Sequence, residues 1–364
     1  MVEYLERIKE LEEELQKTSY NKRTQHHIGL IKAKIAKLRE KEELRGSAKG
    51  GKPGYDVRKT GDASAIMIGY PSVGKSTLLN ALTNAQSKVG SYDFTTLTVI
   101  PGLMGYNGAK IQILDVPGVI KGASIGKGRG KEVLSVMRGT NLVIILIEIN
   151  YPEHLNILKK EIFNTGIRLD QKKPDVKIKK AAKGGIRIGT TVKLKKIDKK
   201  TIEVILNEFK YNNADVLIRE DIDADQLIDC IEGNKIYVPS IIALNKVDSV
   251  SKDKADEVAK QIKADILISA EKGLNIDPLK RIIFNKLNFI RVYMKEPAKK
   301  ADLIAPLIMF NGCTIKDVCN RLHKDFVTKF KFARVWGSSK FPGQKLLRLE
   351  YVLRDKDVLE LHLR

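Results

Sequence analysis

Gly69-Tyr70-Pro71-Ser72-Val73-Gly74-Lys75-Ser76, running on into Thr77, is the stretch that decides the fold. It matches G-x-x-x-x-G-K-[ST], and its flanks supply the setting the pattern needs. Upstream, Ala65-Ile66-Met67-Ile68 reads as a short buried strand; downstream, Lys75–Thr83 reads as a helix. In a strand–loop–helix of this kind Gly69 and Gly74 let backbone amides wrap a phosphate chain, and the helix start adds positive potential. Lys75 is expected to reach the β- and γ-phosphates, and Ser76 to offer its hydroxyl oxygen to Mg²⁺.

Working outward, Ile111-Gln112-Ile113-Leu114, Leu142–Ile149, Ile241-Ile242-Ala243-Leu244 and Ile266-Leu267-Ile268 share the apolar, β-branched character of the first strand. Helical stretches at Glu153–Phe163, Lys254–Lys263 and Asp277–Leu287 lie between or after them. The alternation predicts an α/β domain, a mostly parallel sheet covered on both faces, over residues 61–165 and 239–288. Residues 166–238 interrupt it. They carry Lys172, Lys173, Lys177, Lys179, Lys180, Lys183, Arg187, Lys193, Lys195, Lys196, Lys199 and Lys200 before turning acidic around Glu220–Asp229. That is too long for a structureless loop, so a small α/β domain is expected to be inserted there. Residues 289–364 show short strands and one helix, Ile315–Leu322, and are expected to fold separately, with Trp336 in their core.

At the other end, Leu5, Ile8, Leu11 and Leu15 recur at helical steps, as do Ile28, Ile31, Ile35 and Leu38. Residues 1–60 therefore read as two helices that pack on each other or on a neighbouring domain. The tract Gly46–Gly54 follows them as a basic linker. No internal repeat is visible, and a monomer is expected.

Three further segments choose the ligand. Asn245-Lys246-Val247-Asp248 closes the strand Ile241–Leu244. A carboxylate at Asp248 accepts hydrogen bonds from the N1–H and exocyclic amine of guanine, which adenine cannot offer, and unpaired acceptors are costly. Asn245 is expected to brace the loops and Lys246 to cover the base. Ser269-Ala270-Glu271, after the next strand, would supply the Ala270 amide to the guanine oxygen. Asp115-Val116-Pro117-Gly118 follows the strand Ile111–Leu114: Asp115 would hold Mg²⁺ through water, and the Gly118 amide would sense the γ-phosphate. Phe94-Thr95-Thr96-Leu97-Thr98 sits where a switch threonine is needed, and Thr96 is chosen over Thr95 as the Mg²⁺ ligand. The expected ligand is thus GTP or GDP, bound across Gly69–Thr77, Asp115, Gly118, Asn245, Lys246, Asp248, Ser269, Ala270 and Glu271. Lys75, Thr96 and Gly118 are the groups expected to assist hydrolysis.

Of the 364 residues 43% are hydrophobic and 30% charged. The longest apolar run, Leu142–Ile149, is strand-sized, the first residues lack an apolar signal core, and the three cysteines (Cys230, Cys313, Cys319) are too scattered for a disulfide framework or a zinc site. A cytoplasmic protein without a membrane partner is expected. The formal net charge of +22 attracts polyanions. The basic residues of the insertion suit an RNA surface, or a merely solvated face. Aromatic residues are scarce there, which favours contact with the RNA backbone over reading of bases.

Asp115-Val-Pro-Gly-Val-Ile-Lys-Gly-Ala-Ser-Ile-Gly-Lys-Gly-Arg-Gly130 resembles the glycine-rich switch II of the Obg-like GTPases. Arg58-Lys-Thr-Gly-Asp-Ala63, Gly69-Tyr-Pro-Ser-Val-Gly74 and the insertion with Lys183-Gly-Gly-Ile186 resemble the developmentally regulated GTP-binding (DRG) proteins. The resemblance runs over essentially the whole chain. It implies an N-terminal helical region, a G domain interrupted by a domain like the second domain of ribosomal protein S5, and a C-terminal TGS domain of β-grasp type. Thr314–Asp325, Phe341-Pro-Gly-Gln344 and Asp355–His362 are the TGS-like segments. It also implies association with ribosomes and translation. High Lys and Ile content fits an archaeal or AT-rich genome.

Two departures bear on mechanism. Val119 follows Gly118 where Ras-like enzymes carry a water-orienting glutamine, so slow intrinsic turnover is expected. Ser72 stands where potassium-activated relatives have an asparagine ligand; a serine oxygen could still coordinate, so K⁺ is a secondary and weaker cofactor expectation beside Mg²⁺. Three readings follow: a GTPase switch docking on ribosome or rRNA, an RNA-binding scaffold with structural GTP, and a membrane-associated GTPase. The intact Lys75, Ser76, Thr96 and Asp115 favour the first, with an accessory regulatory protein as a further partner. No lipidation signal supports the third.

Overall fold

The computed structural model describes residues 2–19, 21, 23–47, 60–83, 92–94, 97–116, 136–137 and 139–364. They form two compact units, Met1–Gly54 with Gly166–Tyr237, and Tyr55–Thr165 with Val238–Arg364.

Helices α1 (Val2–Lys17) and α2 (Gln25–Ser47) pair as a hairpin through Ile8, Leu11, Ile31 and Ile35. Asn21 shapes the turn, its side-chain oxygen accepting from the amides of Arg23 and Thr24 at 2.9 Å each. Glu12 and Arg39 clasp the pair at 2.6 Å.

The sheet of the second unit begins with β1 (Ala63–Ile68), whose six residues are all buried, and leads into α3 (Lys75–Leu82). Then come β2 (Tyr92–Phe94), β3 (Leu97–Tyr106), β4 (Ala109–Asp115), β5 (Leu142–Glu148) and α4 (His154–Asn164). β3 pairs antiparallel to β4, which makes this edge the antiparallel part of the mostly parallel sheet read from the sequence. Pro101 within β3 hides this strand from a propensity reading, because proline lacks a ladder donor. Among the described residues β2 pairs with β3 as far as Val99, short of Pro101.

The inserted segment holds β6 (Ile167–Leu169), β7 (Val176–Lys180), β8 (Ile186–Thr190), α5 (Lys199–Glu208), β9 (Ala214–Ile218), α6 (Ala224–Glu232) and β10 (Ile236–Val238). Its sheet runs β7-β9-β8, with β7 and β8 as edges. Asp198 and Asp223 cap the two helices, which close over Ile202, Ile205, Val216, Ile218 and Leu227. Ala33 of α2 joins this core, and Lys32 and Lys37 pair with Asp225 and Glu208 at 2.6 and 3.0 Å. Helix α2 thus buries one face on α1 and another on α5. Deep in the segment Arg168 meets both carboxylate oxygens of Asp229 at 2.6 and 2.7 Å.

The chain returns with β11 (Ser240–Asn245), α7 (Lys252–Ile262), β12 (Ile266–Leu267) and α8 (Ile276–Lys286). The completed sheet runs β12-β11-β5-β1-β4-β3-β2. β1 is parallel to both neighbours, so the segments that follow β1, β4, β5 and β11 emerge at one end, where open α/β sheets bind ligands. Last come β13 (Phe289–Lys295), β14 (Leu307–Phe310), α9 (Ile315–Leu322), β15 (Phe330–Trp336), β16 (Lys345–Leu346) and β17 (Asp357–Leu363), in the order β14-β13-β17-β15-β16. Ala333 and Val335 of β15 face the core under α9. By strand alternation Trp336 falls on the opposite face. There the Lys295 ammonium sits 4.8 Å from its ring, so it is not the core residue expected.

Candidate nucleotide site

The loop between β1 and α3 is shaped by close approach. At Gly74, with φ +96°, a Cβ would lie 2.5 Å from the Asn245 side-chain nitrogen; at Gly69 it would meet the Leu146 carbonyl at 2.6 Å. Ser72 also adopts positive φ, 61°. Val73 is buried, while Pro71, Ser72, Ser76 and Thr77 are exposed.

Lys75 is the buried cation of the loop. Its Nζ donates to the carbonyls of Gly69 and Tyr70 at 3.0 and 2.9 Å. Burial lowers its pKa, and the charge of Asp115 opposes that shift. Ser76 donates its hydroxyl to Oδ2 of Asp115 at 2.8 Å. The Asp115 side chain is 1% exposed, and its Oδ1 has no hydrogen-bond partner among the described residues. A buried carboxylate oxygen left in this state beside a hydroxyl is an oxygen-donor set suited to a hard divalent cation.

Asn245 links the two halves of the site. Its Nδ2 donates to the Val73 carbonyl at 2.8 Å, and its Oδ1 accepts from the Ala270 amide at 3.0 Å. One buried side chain therefore fixes the phosphate-loop backbone relative to the Ser269–Glu271 segment. Lys246, with φ 63°, pairs with Glu148 at the end of β5 at 3.1 Å. The Ser269 hydroxyl, with Lys272 beside it, holds the Asp248 carboxyl below the usual carboxylate range. Lys272 Nζ lies 3.3 Å from Asp248 Oδ2. Glu271 is exposed.

Gly69–Thr77, Asp115, Asn245, Lys246, Asp248, Ser269, Ala270 and Glu271 thus all lie within one unit, at the strand ends, in the segments after them or in the first turn of α3. Thr95, Thr96, Gly118 and Val119 lie outside the described residues. Sequence reasoning passed over Glu148, Lys272 and a ring stack behind the loop. In that stack Tyr70 lies 4.0 Å from His154, and His154 lies 5.3 Å from Tyr151. Only Tyr70 carried a signal, as a member of the motif; the others join it through the fold.

The family model described as 50S ribosome-binding GTPase matches residues 64–180, and that of the C-terminal region of the same GTPase domain matches 183–289. The TGS domain model matches 290–363. An uncharacterised GTP-binding protein of Methanocaldococcus jannaschii is 53% identical, the match covering 98% of this chain and 92% of that protein. Developmentally-regulated G-protein 3 of Arabidopsis thaliana and developmentally-regulated GTP-binding protein 1 of Xenopus laevis are each 42% identical, over 98% of both chains. Among the described residues no helix is long and apolar enough to cross a membrane.

Proposed function

The chain belongs to the developmentally regulated GTP-binding protein family, a P-loop G domain joined to a TGS domain, and from that premise we propose a slow, Mg²⁺-dependent GTPase switch. It hydrolyses GTP to GDP and phosphate and docks on ribosome or rRNA according to the nucleotide it holds. The observation that carries the proposal is the pair of hydrogen bonds by which Asn245 donates to the Val73 carbonyl and accepts from the Ala270 amide. It couples a phosphate-binding loop to a segment suited to guanine.

In this reading the Gly69–Thr77 amides and Lys75 bind the phosphates. The Lys75 ammonium exchanges its two loop carbonyls for phosphate oxygens, a stronger, charge-assisted pairing. Asp248 accepts from guanine, kept ionised by Ser269 and Lys272, and Lys246 lies along the base. Ser76 and Thr96 are the proposed direct ligands of Mg²⁺, with Asp115 through water. When bound, the ion would neutralise charge on the β- and γ-phosphate oxygens. Gly118 senses the γ-phosphate. Without a glutamine at Val119, water is positioned by a backbone group, a partner or K⁺ near Ser72.

The test is ribosome co-sedimentation with GDP, a GTP analogue or no nucleotide, alongside phosphate release in K⁺ and Na⁺ buffers. Nucleotide-dependent pelleting and slow release of phosphate are expected. Equal pelleting in all three states removes the switch and leaves an RNA-binding scaffold with structural GTP. Equal rates in the two salts remove K⁺.

A further inference from the structure

The inserted segment Gly166–Tyr237 contains only three aromatic residues, Phe209, Tyr211 and Tyr237. Phe209 packs against the segment's core. The other two line one cavity of about 240 Å³. It lies at the edge strand β7 and the C-terminal end of α6, where Lys173, Pro174, Cys230 and Lys235 also line it. Its volume is below the roughly 300 Å³ at which drug-sized pockets begin. It therefore has room for a single ring system and little else.

The chemistry of the lining is one-sided. Asp229 is the one acid in the wall, and Arg168 takes both of its oxygens. Lys235 is paired with Glu232 at 2.5 Å. Burial pushes the Cys230 thiol to about 11 and the Tyr237 phenol to about 12, so both stay neutral at neutral pH, the thiol donating to the Pro174 carbonyl at 3.9 Å. Lys173 is exposed and has no carboxylate partner among the described residues. The Lys180 ammonium stands 4.8 Å from the Tyr211 ring. Rings, a neutral phenol and an uncompensated cation suit a flat heterocycle rich in acceptors with a phosphate beside it.

We propose that this cavity receives one unpaired purine base of an RNA strand, with Lys173 on the adjoining phosphate. A free nucleotide shares that chemistry. RNA is favoured because further cations flank the cavity: Lys172, beside Lys173 in the chain, and Lys180, over the Tyr211 ring and on the same face of β7 as Val176 and Ile178, are exposed and lack carboxylate partners among the described residues. One mononucleotide would leave them unused, whereas a strand would engage them. The site rests on the RNA-docking reading above and adds base contact to a surface expected to touch only the backbone.

The experiment uses the full chain and two labelled RNA hairpins, one fully paired and one with a single bulged 2-aminopurine, read by anisotropy and by 2-aminopurine fluorescence. The bulged hairpin is expected to bind roughly 5- to 150-fold more tightly, the range for stacking one base on an aromatic side chain. Tyr211→Leu, which keeps bulk against the core, and the surface change Lys173→Gln should each erase most of that preference while the paired hairpin binds as before. Equal binding of both hairpins, or a preference that survives both variants, overturns the base site and leaves the basic-surface reading standing. Failure to bind either hairpin overturns that reading too. If 2-aminopurine riboside monophosphate displaces the bulged hairpin with the hairpin's own affinity, the cavity is a free-nucleotide site and the RNA assignment falls.

Discussion

The nucleotide loops and the inserted segment both handle charge, in opposite ways. Around the P-loop these polar side chains each have a fixed partner: Lys75 holds carbonyls of its own loop, while Ser76 reaches Asp115 and Asn245 reaches Val73 and Ala270. In the insertion Lys172, Lys173, Lys177, Lys179 and Lys183 are exposed without carboxylate partners among the described residues, and the deeply buried ion pair there is Arg168–Asp229. The first arrangement is pre-organised and short-ranged, worth most against one ligand in one pose. The second is a field, worth a little from each member and sensitive to salt. Substitutions should therefore be severe and local in the loops but shallow and cumulative on the lysine face.

The largest effect should come from Lys75→Ala. Charge-assisted hydrogen bonds are worth about 1.5–3 kcal/mol each, so losing two to phosphate should weaken GTP and GDP binding by roughly 10²- to 10⁴-fold. Isothermal titration checks it, with unchanged thermal stability of the nucleotide-free chain as the control. A much smaller loss would mean that Lys75 keeps its carbonyl partners when nucleotide binds.

Arg168→Ala tests the exception within the insertion. Its partner's side chain is 3% exposed, and breaking a buried pair costs about 3–5 kcal/mol. Burial already raises the Asp229 pKa against the pull of Arg168. Without the guanidinium that shift grows, so the folded state takes up a proton that the unfolded chain releases. Between the ordinary carboxylate range and the raised value, stability then falls as pH rises and recovers as pH drops. Urea unfolding of the variant should therefore show a defect that shrinks on acidification from neutrality. A pH-independent defect would assign the loss to packing.

Asn245→Ala should cost less. It strands the Ala270 amide and releases the Val73 carbonyl, for about 1–3 kcal/mol of unfolding free energy. The distinctive readout is guanine selectivity: GDP affinity should drop further than the affinity for inorganic pyrophosphate, because the bridge positions the base segment more than the phosphate loop. An equal loss for both ligands would reduce Asn245 to a brace of the P-loop.

The same contrast explains what the sequence disclosed. Motif residues such as Gly74 and Asn245 are legible because their spacing is bound to chain direction: Asn245 closes β11 and Gly74 ends the loop after β1, both at one rim of the sheet. Glu148, Lys272 and His154 were not legible, since they lie at the end of β5, in a turn and at the start of α4 with no fixed offset from any motif. Trp336 was misread because apolar size says core, whereas its position in the alternation of β15 says outer face. The double burial of α2 was half visible: Ile31 and Ile35 mark the face on α1, but an alanine, Ala33, marks the face on the insertion. The pairing of Tyr211 with Tyr237 in one cavity could not be read at all, because the two lie on different elements and only the fold brings them together.

The smallest single effects belong to the lysine face, and there the comparison is at its sharpest. Lys177→Gln, Lys179→Gln and Lys183→Gln remove exposed side chains, so each should alter stability by no more than about 0.5 kcal/mol. Nucleotide affinity should not move. Counterion release nevertheless makes each phosphate contact visible: the log–log slope of RNA binding against salt should fall by about one per lysine that touches phosphate. The triple variant should therefore flatten the slope by about three if all three make contact, with a modest loss of affinity at low salt. A slope that stays put would show these lysines to be a solvated face and would move the RNA surface elsewhere. A slope that drops while the bulged-base preference is retained would separate the field from the cavity, since the one is read in salt and the other in stacking.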